Sequence, residues 1–77
     1  MSPAQCRAAR ALLGMTQTAL ADAAGVNLST VVDFERERRK VSYKVLERLL
    51  GAFHEAGVDF IDGNGGGPGV RLRGQLD

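Results

Sequence analysis

Apolar positions repeat at helical spacing through about residue 57, and the period then changes. In "SPAQCRAARALLG", Cys6, Ala9, Arg10 and Leu13 share an i, i+3, i+4, i+7 stripe, while Arg7 points elsewhere. Ser2 is placed to cap this helix, Pro3 suits its first position and Gly14 stops it. In "TQTALADAAG", Thr16 is the expected N-cap and Gly25 the stop, with Leu20 and Ala24 facing inward. In "NLSTVVDFER", Asn27 is the N-cap, and Val31 and Phe34 lie three apart on one face. "SYKVLERLLGAFHEAG" begins at Ser42, carries Leu46, Leu49, Leu50 and Phe53 as its stripe, and stops at Gly57. Gly51 inside that helix costs up to about 1 kcal/mol relative to alanine, so it marks an expected close helix contact.

Beyond Gly57 the spacing becomes two. Val70 and Leu72 alternate with Arg71 and Arg73, and "GNGGGP" between "VDFID" and "GVRLR" is turn chemistry. The pattern predicts a β-hairpin; the competing reading is a tail without fixed structure from about Gly63. A lone hairpin is marginal in water, so it must pack on the helices or on another chain. Residues 1–57 therefore read as a helical unit. Residues 58–77 read as a hairpin and tail of the same domain, serving dimerisation. Leu50 and Phe53 of the last helix, with Val58, Phe60, Ile61, Val70 and Leu72, are the expected dimer surface.

Seventy-seven residues make one small domain, near the lower limit for a self-supporting core. One cysteine and one histidine leave no intrachain disulfide and no basis for a metal site, and no cofactor is expected. No apolar run approaches a membrane span, and the start of the sequence lacks the order of a signal peptide, so a soluble, reduced, cytoplasmic protein is expected. Cys6 reads as a small core residue, and His54 as a surface or dimer-edge one. No nucleophile–base–orienter set is visible, which argues against an enzyme. The glycine-rich tail lacks the lysine and following helix of a phosphate-binding loop.

The net charge is only +1, but it is unevenly spread. Six of the ten basic residues fall between Arg36 and Arg48, whereas Glu55 to Asp62 holds three acids and no base. One positive face suits a polyanion; a solvated loop with flanking charges is the plain alternative.

The link between the second and third helices is only "GVN". Gly25 can adopt a positive φ cheaply, Ala21 must be small where the third helix crosses, and Val26, Val31 and Phe34 fix that helix to the core. Leu28, Ser29, Val32, Asp33 and Arg36 are left facing outward, on the face that would enter a major groove. "LLGMTQTALADAAGVNLSTVVDFE" resembles the phage repressor and Cro-like (XRE) helix-turn-helix family, through Gly14, Thr16, Gln17, Leu20, Ala21, Gly25, Val26, Val31 and Glu35. The resemblance covers roughly residues 4 to 56. It implies a mainly α, lambda-repressor-like four-helix domain, here with a C-terminal hairpin, that binds double-stranded DNA. It further implies a phosphate contact from Gln17, base reading by Asn27, Leu28, Ser29 and Asp33, and a structural pair between Arg10 and Glu35.

Other side chains join the candidate interface on chemistry. Thr30 can reach the DNA or its own backbone, and Leu28 and Val32 suit thymine methyls or a protein partner. Asp33 either accepts from a cytosine amino group or pairs with Arg36. Arg36, Arg38, Arg39 and Lys40 suit phosphates. The family usually has glycine where Glu37 stands and a proline near Ser42, so Glu37 either adopts a left-handed conformation or the third helix runs longer. The format is similar to restriction-modification controller proteins and mobile-element regulators: a homodimer on a palindromic operator, with no small-molecule ligand expected. An antitoxin with a toxin-binding tail, or a protein-binding anti-activator on the same fold, are the alternatives.

Overall fold

The computed structural model describes residues 1–63 and 65–74, and orders them as four helices and a two-stranded sheet: α1 (Pro3–Leu13), α2 (Gln17–Ala24), α3 (Leu28–Glu35), α4 (Tyr43–Glu55), β1 (Val58–Ile61) and β2 (Gly69–Leu72). Among these residues no helix is long and apolar enough to cross a membrane.

Local side-chain chemistry starts each helix. Ser2 Oγ accepts from the Gln5 backbone N–H at 3.1 Å, and Gln5 Oε1 accepts from the Ser2 N–H at 2.9 Å, completing a capping box with Pro3 just inside it. Thr16 and Ser42 cap α2 and α4 through their hydroxyls. Asn27 has the cap backbone of α3, yet its side chain makes no capping bond.

The first three helices end alike. The N–H of the residue after the turn reaches back five positions, from Met15 to Arg10, Val26 to Ala21 and Arg38 to Asp33, at 2.9 to 3.0 Å. This closure needs a left-handed residue. Gly14 and Gly25 supply it for α1 and α2, but at the end of α3 the left-handed residue is Glu37, with φ 59°. The loop from Arg36 to Lys40 follows from that turn.

Small residues on α1 and α2 let the bundle close. Cys6, Ala9, Ala21 and Ala24 are buried beside Leu20, Val31, Phe34, Leu49, Phe53 and Val58. Burying side chains the size of Phe53 or Leu20 stabilises the fold by roughly 1.5–3 kcal/mol each.

The hairpin forms as an antiparallel pair in the register Val58↔Leu72, Asp59↔Arg71, Phe60↔Val70 and Ile61↔Gly69. Asn64, part of the expected turn, and residues 75–77 of the expected tail lie outside the described residues. The sheet packs β1 against α4 and β2 against α1. Phe60 meets Phe53 edge-on, with ring centres 5.7 Å apart. Arg73 donates to Asp59 Oδ1 at 2.6 Å and to the His54 carbonyl at 2.6 Å, and its Nη1 lies 3.2 Å from His54 Nδ1. Gln5 Nε2 donates to the carbonyls of Gly69 at 3.0 Å and Ile61 at 3.3 Å.

Two expectations need correction here. Phe53 and Val58 do not lie on an open dimer surface, because the hairpin folds back and covers them completely within the chain. Phe60 and Val70 are also half-covered by the same core. Only Ile61 and Leu72 remain as exposed large apolar groups of the hairpin, with Leu50 half-buried nearby in sequence terms on α4. Gly51 marks no close contact either. It is exposed, and a methyl group added there would meet nothing within 4 Å.

Candidate nucleic-acid interface

The turn from α2 to α3 is set by Gly25, at φ 69°, whose left-handed backbone lets Val26 bond back to Ala21. Only Gly25, Val26 and Asn27 separate the two helices, so α3 leaves at once in a new direction. Val31 and Phe34 anchor it to the core. The opposite face presents Leu28 and Ser29 exposed, with Thr30, Val32 and Asp33 half-exposed. Asn27, exposed and without a capping bond, keeps both its amide donors and its acceptor available at the start of that face.

The end of α3 is held by a polar cluster. Glu35 is buried, and Arg10 Nε and Nη2 each reach one of its carboxylate oxygens at 2.7 Å. Cys6 Sγ donates to Glu35 Oε2 at 3.1 Å, and Gln17 Nε2 donates to Glu35 Oε1 at 3.0 Å. Arg7 adds a bond to the Glu35 main-chain carbonyl, and Arg10 Nη1 donates to the Met15 carbonyl at 3.1 Å. Burial alone would raise the Glu35 carboxyl, but the bonds from Arg10, Cys6 and Gln17 hold it below its ordinary value. Burial, and then the bond to that carboxylate, push the Cys6 thiol far upward, so it stays protonated. No buried side-chain nitrogen or oxygen among the described residues lacks a partner.

Gln17 is therefore fixed on its inner side. One hydrogen of its Nε2 is committed to Glu35, while the other and Oε1 remain for an outside partner. The structure joins Gln17 at the start of α2 to the end of α3 through one carboxylate.

After α3 the backbone turns at Glu37 and presents Arg36, Arg38, Arg39 and Lys40, all exposed. Asp33 pairs with Arg39, at 3.6 Å, rather than with Arg36, the ion-pair partner offered as one of its two roles. The reversal at Glu37 folds the loop back along α3 and brings the later arginine to the carboxylate. Three further residues escaped the sequence reading. Tyr43, first in α4, is 75% exposed next to the basic loop. Lys44 and Arg48 line a shallow cleft of about 270 Å³ together with Asn27 and Thr30. Their membership in the basic window and their i, i+4 spacing were the available signal. Among the described residues no group of His, Cys, Asp and Glu is arranged to hold a metal.

A tight glycine turn, the Arg10–Glu35 pair behind it with its carboxylate buried, and an open outer face on α3 form one arrangement. A family model described as helix-turn-helix matches residues 7–58, most of the chain and all of that arrangement. The chain belongs to the helix-turn-helix family of the XRE type. No match was found among curated protein sequences. As an XRE-type helix-turn-helix protein it is a DNA-binding regulator, and α2 and α3 are the two helices of its motif. The hairpin's second strand, β2, falls beyond the matched segment.

Proposed function

We propose that this helix-turn-helix protein is a sequence-specific transcriptional regulator that acts in the cytoplasm as a homodimer on inverted-repeat operators. The observation that carries the reading is the outer face of α3. Asn27, Leu28, Ser29, Thr30, Val32 and Asp33 lie open there, with Asn27 unused by the fold. These side chains read base edges, N-terminus of α3 first. Gln17 anchors a phosphate at the start of α2, where the helix dipole favours an anion. Arg36, Arg38, Arg39 and Lys40 hold phosphates and fix the register.

One domain of this size buries too little DNA for tight specific binding, so a symmetric pair is required. Residues 58–77 belong to the same domain and serve as its dimerisation element. Leu50, Ile61 and Leu72 supply the shared apolar surface. Two half-sites are then centred about 34 Å apart or a multiple of that. Occupancy of such an operator, set by protein concentration, represses or activates the adjoining gene in the manner of mobile-element and restriction-modification controllers.

A band-shift titration against DNA flanking the chain's own gene tests this. Affinity should fall steeply with salt. Arg38→Ala should weaken binding to all sequences alike, and Ser29→Ala should change discrimination among operators. Salt-independent or absent binding would leave a protein-binding role for the same face.

A further inference from the structure

Among the start of α1, the end of α3 and α4 lies an open cavity of about 530 Å³, a volume typical of small-molecule sites. Its floor is apolar. Phe34, Val41 and Leu46 form it, and Pro3 makes one side. Val41 and Leu46 are half-exposed, so apolar surface is left bare to water at the bottom of a concave site.

The rim has the opposite character. Arg38, Arg39 and Lys40 border the cavity, and Glu37 is the one acid among the bordering residues. Arg39 is drawn to Asp33, but Arg38 and Lys40 form no ion pair among the described residues. A solvated basic loop needs no apolar floor, and a core gap needs no unpaired cations. Their combination selects a ligand with both properties.

We propose that this cavity binds a small amphipathic anion: a medium-length acyl or aryl body bearing one carboxylate. The body covers Phe34, Val41 and Leu46, and the carboxylate sits between Arg38 and Lys40 in charge-assisted hydrogen bonds. An uncharged molecule of the same shape leaves the cations unmatched. A compact anion leaves the floor bare.

The site has a regulatory consequence that rests on the DNA reading above. Arg38 and Lys40 cannot hold the carboxylate and a DNA phosphate together, so ligand and DNA compete, and each lowers the other's affinity by the same factor.

The test begins without DNA. The full chain, labelled for NMR, is titrated with sodium decanoate below its micelle concentration. Saturable shifts should centre on Phe34, Val41 and Leu46. Decanol and acetate should each bind at least about tenfold more weakly than decanoate, since each lacks half of the match. The double variant Arg38→Glu/Lys40→Glu changes two exposed side chains outside the core, and should weaken decanoate by about tenfold or more with the rest of the spectrum unchanged. Shifts centred on the hairpin, equal binding of decanol, or an unaffected double variant would each overturn the site. A second arm measures operator affinity with and without decanoate, and a fall is expected. Unchanged operator affinity despite cavity binding overturns the competition. Normal DNA binding without decanoate binding defeats the cavity alone, while decanoate binding at the cavity with no DNA binding defeats the DNA reading alone.

Discussion

Arg10 grips both carboxylate oxygens of Glu35, each at 2.7 Å, across 25 positions of sequence. The bidentate geometry locks α1 to the end of α3 and gives the acid two charge-assisted bonds before Cys6 and Gln17 add theirs.

Glu35→Ala should cost about 3 kcal/mol, because four bonds from Arg10, Cys6 and Gln17 lose their acceptor and the arginine is left unpaired at the edge of the core. A small domain holds only roughly 0.05–0.15 kcal/mol of stability per residue, so that loss takes a large share of the whole. Chemical denaturation followed by circular dichroism measures it. A cost below about 1 kcal/mol would show the pair to be incidental.

The same group sets an acid limit. The folded-state value of Glu35 lies below the ordinary 4.5, so the folded chain takes up that proton less readily than the unfolded one. Its stabilisation is complete above that ordinary value and fades as pH falls through the folded one. Stability measured downward from pH 6 should show this decline in the parent and a shallower one in Glu35→Gln.

Cys6 should resist thiol reagents in the native state. Its sulfur is buried, protonated and bonded to Glu35. Reaction with a disulfide reagent at pH 8 should run at least about a hundredfold slower than in denaturant, since it waits on opening of the fold. A native rate close to the unfolded one would contradict the packing around α1.

Two substitutions should stabilise the chain. Gly51→Ala removes a flexible residue from an exposed, uncrowded helix position, and should gain about 0.5–1 kcal/mol. Glu37→Gly relieves a left-handed side-chain conformation at φ 59°; the relief of about 1 kcal/mol exceeds the entropy that glycine adds to the unfolded chain. In a domain of this size each change of 1 kcal/mol moves the melting temperature by roughly 4–8 °C. A lower melting temperature for either variant would refute the local geometry.

Asp33 should matter for target choice more than for strength. Asp33→Ala removes an acid from the face proposed to meet DNA and releases Arg39 from its 3.6 Å contact, so binding to random DNA should tighten. If Asp33 accepts from a cytosine amino group as proposed for this face, its loss lowers discrimination by about 1–3 kcal/mol. The ratio of operator to random-sequence affinity reads both. A ratio that does not fall would remove Asp33 from base reading.

The helices and their caps were legible because their signals are local: Ser2, Thr16 and Ser42 act within three residues of themselves, and Gly14 and Gly25 close the turn they stand in. The left-handed turn at Glu37 was legible as one of two outcomes, since Glu occupies a place that favours glycine. What escaped depends on the third dimension. Nothing near Cys6 or Gln17 in sequence indicates that both side chains converge on Glu35. Arg39 reaches Asp33 only because the backbone reverses between them. Phe53 and Val58 carry the same apolar signal whether another copy or the chain's own hairpin covers them.

Gln5 caps the first helix with its carbonyl oxygen and clips both strands of the hairpin with its amide nitrogen. One side chain thus ties the start of α1 to both strands of the hairpin. The hairpin is no detachable appendage, for peeling it away leaves that amide unpartnered and uncovers Phe53. Both ends should therefore gain and lose their protection against hydrogen exchange together, as the seam of a closed ring rather than two fraying tips.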